Sequence, residues 1–279
     1  MAQLNQQKLR HGLILIDGQE AGVVQVLEAG LLGNMVHGLI IDRGPLWFDG
    51  RGDIGDMRCF LDAFCRKFPK RLGRRIRFIP EIEDTPDMRQ FLKQYRFNKK
   101  GVQTYQTYWL DLGLDLQTLR NNLSKYWAKQ LQKAEEESLE IVWSDEGAHF
   151  AWLINNHTED RVKKNYGGAS IKTIIALSRE FSRGKNMLIG TALLDGAPIA
   201  SILLLNHGRA ATYQIGYSSD VGRQKRAHYI LLWKALSELK ERNIDAFDLG
   251  GVNDESAKGV KVFKEGMGGF LYETPGFYS

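Results

Sequence analysis

Only two cysteines and six prolines occur among the 279 residues, and these scarcities narrow what the chain can be. Two cysteines cannot staple a small secreted scaffold. Cys59 and Cys65 fall in one helical pattern, where their spacing gives roughly 9 Å of rise. That is too far for a disulfide, so both are expected as reduced, buried thiols. Few prolines and no low-complexity tract leave no long disordered linker to expect. No apolar run approaches the length of a membrane span, and the start, M-A-Q-L-N-Q-Q-K-L-R, lacks the apolar stretch of a signal peptide. A cytoplasmic protein is expected, and any membrane contact would be peripheral, made from the surface. The histidines show no ligand spacing with each other or with cysteine, so no metal site is expected. Neither G-x-S-x-G nor G-x-x-x-x-G-K-[ST] occurs, and no paired carboxylates stand out as a general acid and base.

What is present is an ordinary globular composition, 43% hydrophobic and 25% charged, with length for one large or two small domains. The net charge of +5 leans weakly towards an anionic partner. The clearest organisation is a repeated unit. Leu13–Asp17, a turn at Asp17-Gly18 and Val23–Glu28 read as a hairpin, as do Met187–Leu194, Asp195-Gly196 and Ile199–Asn206. Asp-Gly between apolar runs is a strong hairpin signal. A third strand follows each, Val36–Asp42 or Ala210–Gly216. Then come a helix (Met57–Phe68 or Tyr229–Glu241), a short strand (Ile76–Ile79 or Ile244–Leu249), a second helix (Asp87–Tyr95 or Gly259–Glu265) and a closing strand. Ahead of the second unit lie a charged helix over Leu116–Ser138, a strand Leu139–Trp143 and helices around Phe150–His157 and Ile171–Phe181. Within the charged helix, Trp127, Leu131 and Ala134 keep core spacing.

The C-terminal segment carries the chemistry. I-D-A-F-D-L-G-G-V-N places Asp248, Gly250, Gly251 and Asn253 at the end of an apolar strand; K-G-V-K-V-F-K-E-G-M-G-G places Phe263 and Lys264 before a second glycine cluster. Glycines on both sides of a Phe-Lys pair suggest a ligand passing close to main chain, with one ammonium aimed at it. The competing reading is a solvated lysine at a helix end and a plain turn in which Asp248 caps nearby amides.

This D-x-G-G…F-K…G pattern resembles the Fem-type aminoacyl transferases, and the strand-strand-strand-helix-strand-helix-strand order, met twice, resembles the GNAT acyltransferase fold. The resemblance implies an α/β protein with mixed sheets: two tandem GNAT-like domains, 1–112 and 113–279, the first truncated at its N-terminus. It implies acyl transfer to an amine, in the Fem-type case from aminoacyl-tRNA to a peptidoglycan precursor or related peptide or cell-envelope amine. Acyl coenzyme A as donor, and a non-catalytic anion-binding module, remain alternatives. Lys264 beside Phe263 would stabilise the oxyanion of the tetrahedral state, and Asp248, Gly250, Gly251 and Asn253 would hold the reacting carbonyl. The resemblance implies no bound organic cofactor or metal, the donor being a co-substrate.

V-G-R-Q-K-R-A-H-Y, residues 221–229, stands where GNAT enzymes cradle the pyrophosphate of coenzyme A. Arg223, Lys225 and Arg226 would grip the donor, and Tyr229 joins the substrate-binding candidates. Arg226 replaces the glycine of the usual Q/R-x-x-G-x-G/A, which favours a bulkier polyanion such as a tRNA acceptor end; a basic loop without ligand is the plainer reading. Arg43, in D-R-G-P-L-W, resembles the family's R/Y-G-P element and is a candidate for a phosphate or carboxylate contact, or only a turn residue before Pro45. Finally, the run from Arg66 to Arg77 packs seven basic residues into twelve with no acid. Phosphate binding and a solvated helix end are both open for it.

Overall fold

The computed structural model describes residues 8–82, 85–101, 105–164, 167–252 and 258–279. The chain divides into two compact units, one of residues 1–105 with 273–279, the other of residues 106–272.

In the first unit, β1 (Lys8–Ile16), β2 (Gln19–Leu31) and β3 (Val36–Asp42) form the expected meander, and a short β4 (Leu46–Trp47) pairs with β2. Helix α1 (Ile54–Lys67) starts where Asp53 accepts a bond from Asp56 N, and buries Met57, Phe60, Leu61 and Phe64. It is followed by β5 (Arg74–Ile79), α2 (Pro86–Gln94, capped by Thr85) and β6 (Lys99–Lys100). Both cysteines lie on α1 and are free, but Cys59 is exposed and Cys65 half-buried, against the expectation of two buried thiols. Cys65 packs against the edge of the core cluster, and Cys59 faces outward.

The second unit runs β7 (Gln106–Asp111), α3 (Leu116–Asn121), α4 (Lys125–Glu135), β8 (Glu140–Ser144), α5 (Ala148–Lys164), α6 (Ile171–Arg183), β9 (Met187–Leu194), β10 (Ala197–His207), β11 (Ala210–Ser218), α7 (Asp220–Gln224), α8 (Ala227–Glu241), β12 (Ala246–Gly251), α9 (Lys258–Glu265) and β13 (Phe270–Glu273). The charged helix expected over 116–138 is broken in two. Ser124 accepts from Trp127 N at 3.2 Å and restarts the helix. The sheet, ordered β13-β7-β12-β11-β10-β9-β8, is covered on both faces. Along β10, Ile202 and Leu204 face one apolar cluster with α4 and α8, while Leu203 and Leu205 face another with α5 and α6. Trp127, Leu131 and Ala134 are buried in the first of these.

The first sheet is ordered β1-β2-β3-β5-β14-β6, and β14 is Phe277–Tyr278. The strand after β6 in sequence, β7, thus lies between β12 and β13, while the strand after β13, β14, lies between β5 and β6. The two sheets exchange their last strands. A division by sequence alone places the cut at 112/113; the exchanged strands move it to 105/106 and return the last residues to the first unit. Among the described residues, no helix is long and apolar enough to cross a membrane.

The units differ at the parallel pairs β3–β5 and β11–β12, and this difference positions the site. In the first, β3 and β5 pair over six residues, from His37↔Arg74 to Asp42↔Ile79. In the second, β11 and β12 pair only over Ala210↔Ala246, Ala211↔Phe247 and Thr212↔Asp248. Beyond that point β11 carries an extra residue, Gln214, against β10, and β12 carries an extra residue against β7. Bulges bend strands and increase their twist, so these two part, and ligands in such sheets collect at the carboxyl ends of parted strands.

Candidate active site

The bulge on β12 is built by residues distant in sequence. Gly250 adopts φ +73°, and a Cβ there would sit 2.7 Å from Tyr213 O; only glycine suits both the backbone and the space. Its amide donates to Asp248 Oδ1 at 2.8 Å. The Thr107 hydroxyl, on β7, shares its proton between the same carboxylate oxygen and Gly250 O, the latter at 2.9 Å. From α9, Lys264 Nζ donates to Gly250 O and Gly251 O, each at 3.1 Å, and lies 5.4 Å from the centre of the Tyr213 ring. Lys264 is 7% exposed. Burial pushes its pKa down to about 8, opposed by the Asp248 carboxylate. Near neutral pH it remains mainly an ammonium with three donors, of which two are committed to backbone carbonyls. It is therefore no solvated helix-end lysine.

Phe263 stands in an aromatic group, its ring 4.9 Å from Tyr229 and 6.0 Å from Trp127, with Trp127 and Tyr229 themselves 4.9 Å apart. Burial pushes the Tyr229 hydroxyl up to about 12, so it stays protonated. Phe263 and Tyr229 wall a cavity of about 270 Å³, completed by Ser218, Gly222, Arg223, Arg226, His228, Gly259 and Val260. It opens where β11 ends and α7 and α8 begin.

The structure thus joins Asp248, Gly250, Gly251 and Lys264 in one cluster, while Phe263, Tyr229, Arg223 and Arg226 line the cavity, which none of those four residues lines. The donor-gripping cations are not idle. Arg223 bonds Ser218 O and the Asp220 carboxylate. Lys225 donates to Glu137 at 2.6 Å and does not line the cavity. Arg226, in left-handed backbone with φ 56°, donates to Gln130 at 2.8 Å. A phosphate would compete with these partners rather than meet free charges. Arg43 belongs to the first unit, where it donates to Glu81 at 3.2 Å and stacks over Tyr105 at 5.5 Å. Asn253 lies outside the described residues. The second glycine cluster serves the fold: a Cβ on Gly268 would come 2.2 Å from Asn122 O, so protein main chain, not ligand, passes there.

Three residues of this arrangement escaped the sequence reading. Thr107 and Tyr213 carry no motif; their roles come from strand pairing. His228 sits inside the quoted basic segment, but nothing there marks it. Burial pushes its imidazole down to about 4, and its Nε2 is shut off from solvent with no hydrogen-bond partner among the described residues.

Known proteins share this architecture. The sequence profile of the acetyltransferase (GNAT) domain matches residues 119–265. The crystal structure of FemX superposes with a TM-score of 0.81 over 99% of this chain and 88% of that one, at 15% identity. The C-terminal domain of a putative lysylphosphatidylglycerol synthetase from Agrobacterium fabrum gives 0.58 over 96% and 83%, at 12% identity. A tandem GNAT protein from the clavulanic acid biosynthesis pathway gives 0.54 over 98% and 82%, at 14% identity. No curated protein sequence matches significantly. At these identities the structures establish a tandem GNAT fold, shared with the Fem-type protein. The matched profile spans more than half of the sequence and contains the splayed strands, the cavity and Lys264: the chain belongs to the GNAT acetyltransferase family and is an acyltransferase.

Proposed function

We propose that the second unit transfers the aminoacyl group of an aminoacyl-tRNA to an amine on a peptidoglycan precursor or a related peptide or cell-envelope molecule. The observation that carries this reading is the buried ammonium of Lys264, fixed on a rigid bulge where the parallel strands part. As the amine attacks the ester carbonyl, a C–N bond forms and negative charge gathers on the carbonyl oxygen. The remaining Lys264 donor would meet that charge without reorganising. The ester C–O bond then breaks, and the departing ribose hydroxyl takes up the proton that the amine gave to substrate phosphate or water. Asp248, Gly250 and Gly251 would hold the carbonyl in place through the bulge. Phe263 and Tyr229 would bound its side chain. The activated ester supplies the driving force, so the reaction calls for no resident cofactor. Whole-chain likeness to FemX supports an aminoacyl donor, and so does a lysylphosphatidylglycerol synthetase among the similar structures. The matched profile bears the name of acetyl transfer, which makes acyl coenzyme A the second reading.

The test has two stages. Filter binding compares charged tRNA, uncharged tRNA and acetyl coenzyme A; binding of charged tRNA should weaken with salt, with a log-log slope of about −0.7 to −0.9 per phosphate contacted. A panel of amines, peptidoglycan precursors included, should then speed loss of the amino acid from its tRNA ester. Salt-sensitive binding with no acceleration would leave an anion-binding module. Saturable turnover of acetyl coenzyme A with a flat salt response would install the second reading.

Donor choice should be alterable at Arg226. Its φ of 56° is one glycine accepts without strain, so Arg226→Gly should fold normally. Coenzyme A affinity should rise as backbone amides at the start of α8 come within reach. Binding to tRNA should weaken, with a salt slope shallower by up to about one unit. Equal change in both ligands would show that this residue does not discriminate.

A further inference from the structure

At one end of the first unit, two loops carry large aliphatic side chains into solvent. At the end of β2 Leu31 is 70% exposed, and in the turn to β3 Leu32 is 76% and Met35 69% exposed; in the loop before β5, Leu72 is 98% exposed. Leu32 also adopts φ 50°, a left-handed conformation that a bulky residue takes only at a cost. Hairpin turns ordinarily place asparagine or glycine there.

The two loops form one stiff body. Arg71 bonds Asn34 O and reaches Met35 O at 3.4 Å, and His37 N donates to Gly73 O at 2.8 Å. Beneath them Arg74 donates to His37 Nδ1 at 2.9 Å. That places the ring proton on Nε2, which donates to buried Glu28 at 2.8 Å. The two segments that carry these loops also expose Arg66, Lys67, Arg71 and Arg75, while Lys70 is turned to Arg96 O and the Phe97 ring. Residues 29–37 and 64–77 contain no acidic residue.

We propose that this tip docks the protein onto an anionic phospholipid surface, the aliphatic side chains entering the acyl boundary and the basic collar meeting lipid phosphates. Apolar residues ringed by lysine and arginine are what such a surface binds, through buried apolar area and charge together. RNA, which the basic run taken alone would fit, gains nothing from protruding leucines: single strands are read by aromatic stacking, and no exposed side chain of the tip is aromatic. The surface is independent of the acyl-transfer reading and stands if that reading fails.

Co-sedimentation of the full chain with vesicles tests it. Phosphatidylcholine containing phosphatidylglycerol should bind the protein, phosphatidylcholine alone should not, and high salt should weaken the binding. Leu32→Ser with Leu72→Ser should lower the partition coefficient roughly tenfold for each leucine, with unchanged thermal unfolding because both side chains are exposed. Arg66→Gln with Arg75→Gln should lower it roughly fivefold per charge. Absence of binding to the anionic vesicles would overturn the proposal. So would binding that survives loss of both leucines, which would leave only diffuse electrostatic attraction. Retention of tRNA that depends on the arginines and not on the leucines, without vesicle binding, would reassign the tip to RNA.

Discussion

Lys264→Ala should lower turnover on the true substrate on the order of a hundredfold or more, with donor binding nearly unchanged, because one fixed donor to a developing oxyanion is worth that much. Lys264 also ties two backbone carbonyls, so alanine alone could disturb the bulge. Lys264→Met loses the charge and both carbonyl bonds as alanine does but keeps the stem and leaves no cavity, and should show the same loss of rate. Lys264→Arg should be poor too, since a planar guanidinium does not occupy the same point. Thermal unfolding against pH separates the two roles. A lysine whose folded pKa lies near 8, below the ordinary lysine value, binds fewer protons folded than unfolded between those values. The penalty of its buried charge is complete below pH 8 and is relieved as pH rises towards about 10.5. In this window Lys264 makes the native protein gain stability with pH; the Lys264→Met protein should lack that contribution. Activity should move the opposite way, falling above pH 8 as the ammonium is lost. A methionine variant with unchanged turnover would remove Lys264 from the mechanism.

How much of this was legible depends on the range of the interaction. The Asp17-Gly18 and Asp195-Gly196 hairpins were readable because turn chemistry and alternation are local. Both glycines indeed take φ of 77°. Helix α9, expected over Gly259–Glu265 and found over Lys258–Glu265, was readable to within a residue for the same reason. The exchange of β7 and β14 was not, because a short strand such as Phe277–Tyr278 carries no mark of the sheet it will join. Lys264 and Asp248 were picked out from sequence pattern, but the Thr107 hydroxyl that joins them stands 141 residues from Asp248. Nor could the sequence show that Lys225 and Arg226 are held by Glu137 and Gln130. A cation in sequence is only a charge; whether it is available is a property of packing. The tip of the first unit was half legible. The basic run stood out, while the apolar hairpin beside it became meaningful only through the fold.

Asp248 gives the largest expected effect on stability. Its side chain is 4% exposed, accepts from Gly250 N and Thr107, and opposes the pKa depression of Lys264. Asp248→Ala removes all three functions at once, leaving a buried amide and a buried ammonium uncompensated. A loss of about 3–5 kcal/mol is expected, read as a lower midpoint in denaturant. Asp248→Asn separates charge from hydrogen bonding. The amide oxygen can still accept from Gly250 N, so most of the stability should remain. The negative charge is gone, so the Lys264 pKa should fall below 8, and the alkaline limb of kcat should move to lower pH. An acceptor amine must be unprotonated to attack, so its own titration raises the rate with pH and sets the acidic limb. That limb belongs to the substrate and should stay in place, leaving a narrower bell with a lower summit. If the alkaline limb stays where it is in the native enzyme while the protein remains folded, the group titrating there is not Lys264, and the oxyanion donor must be sought among the residues that line the cavity.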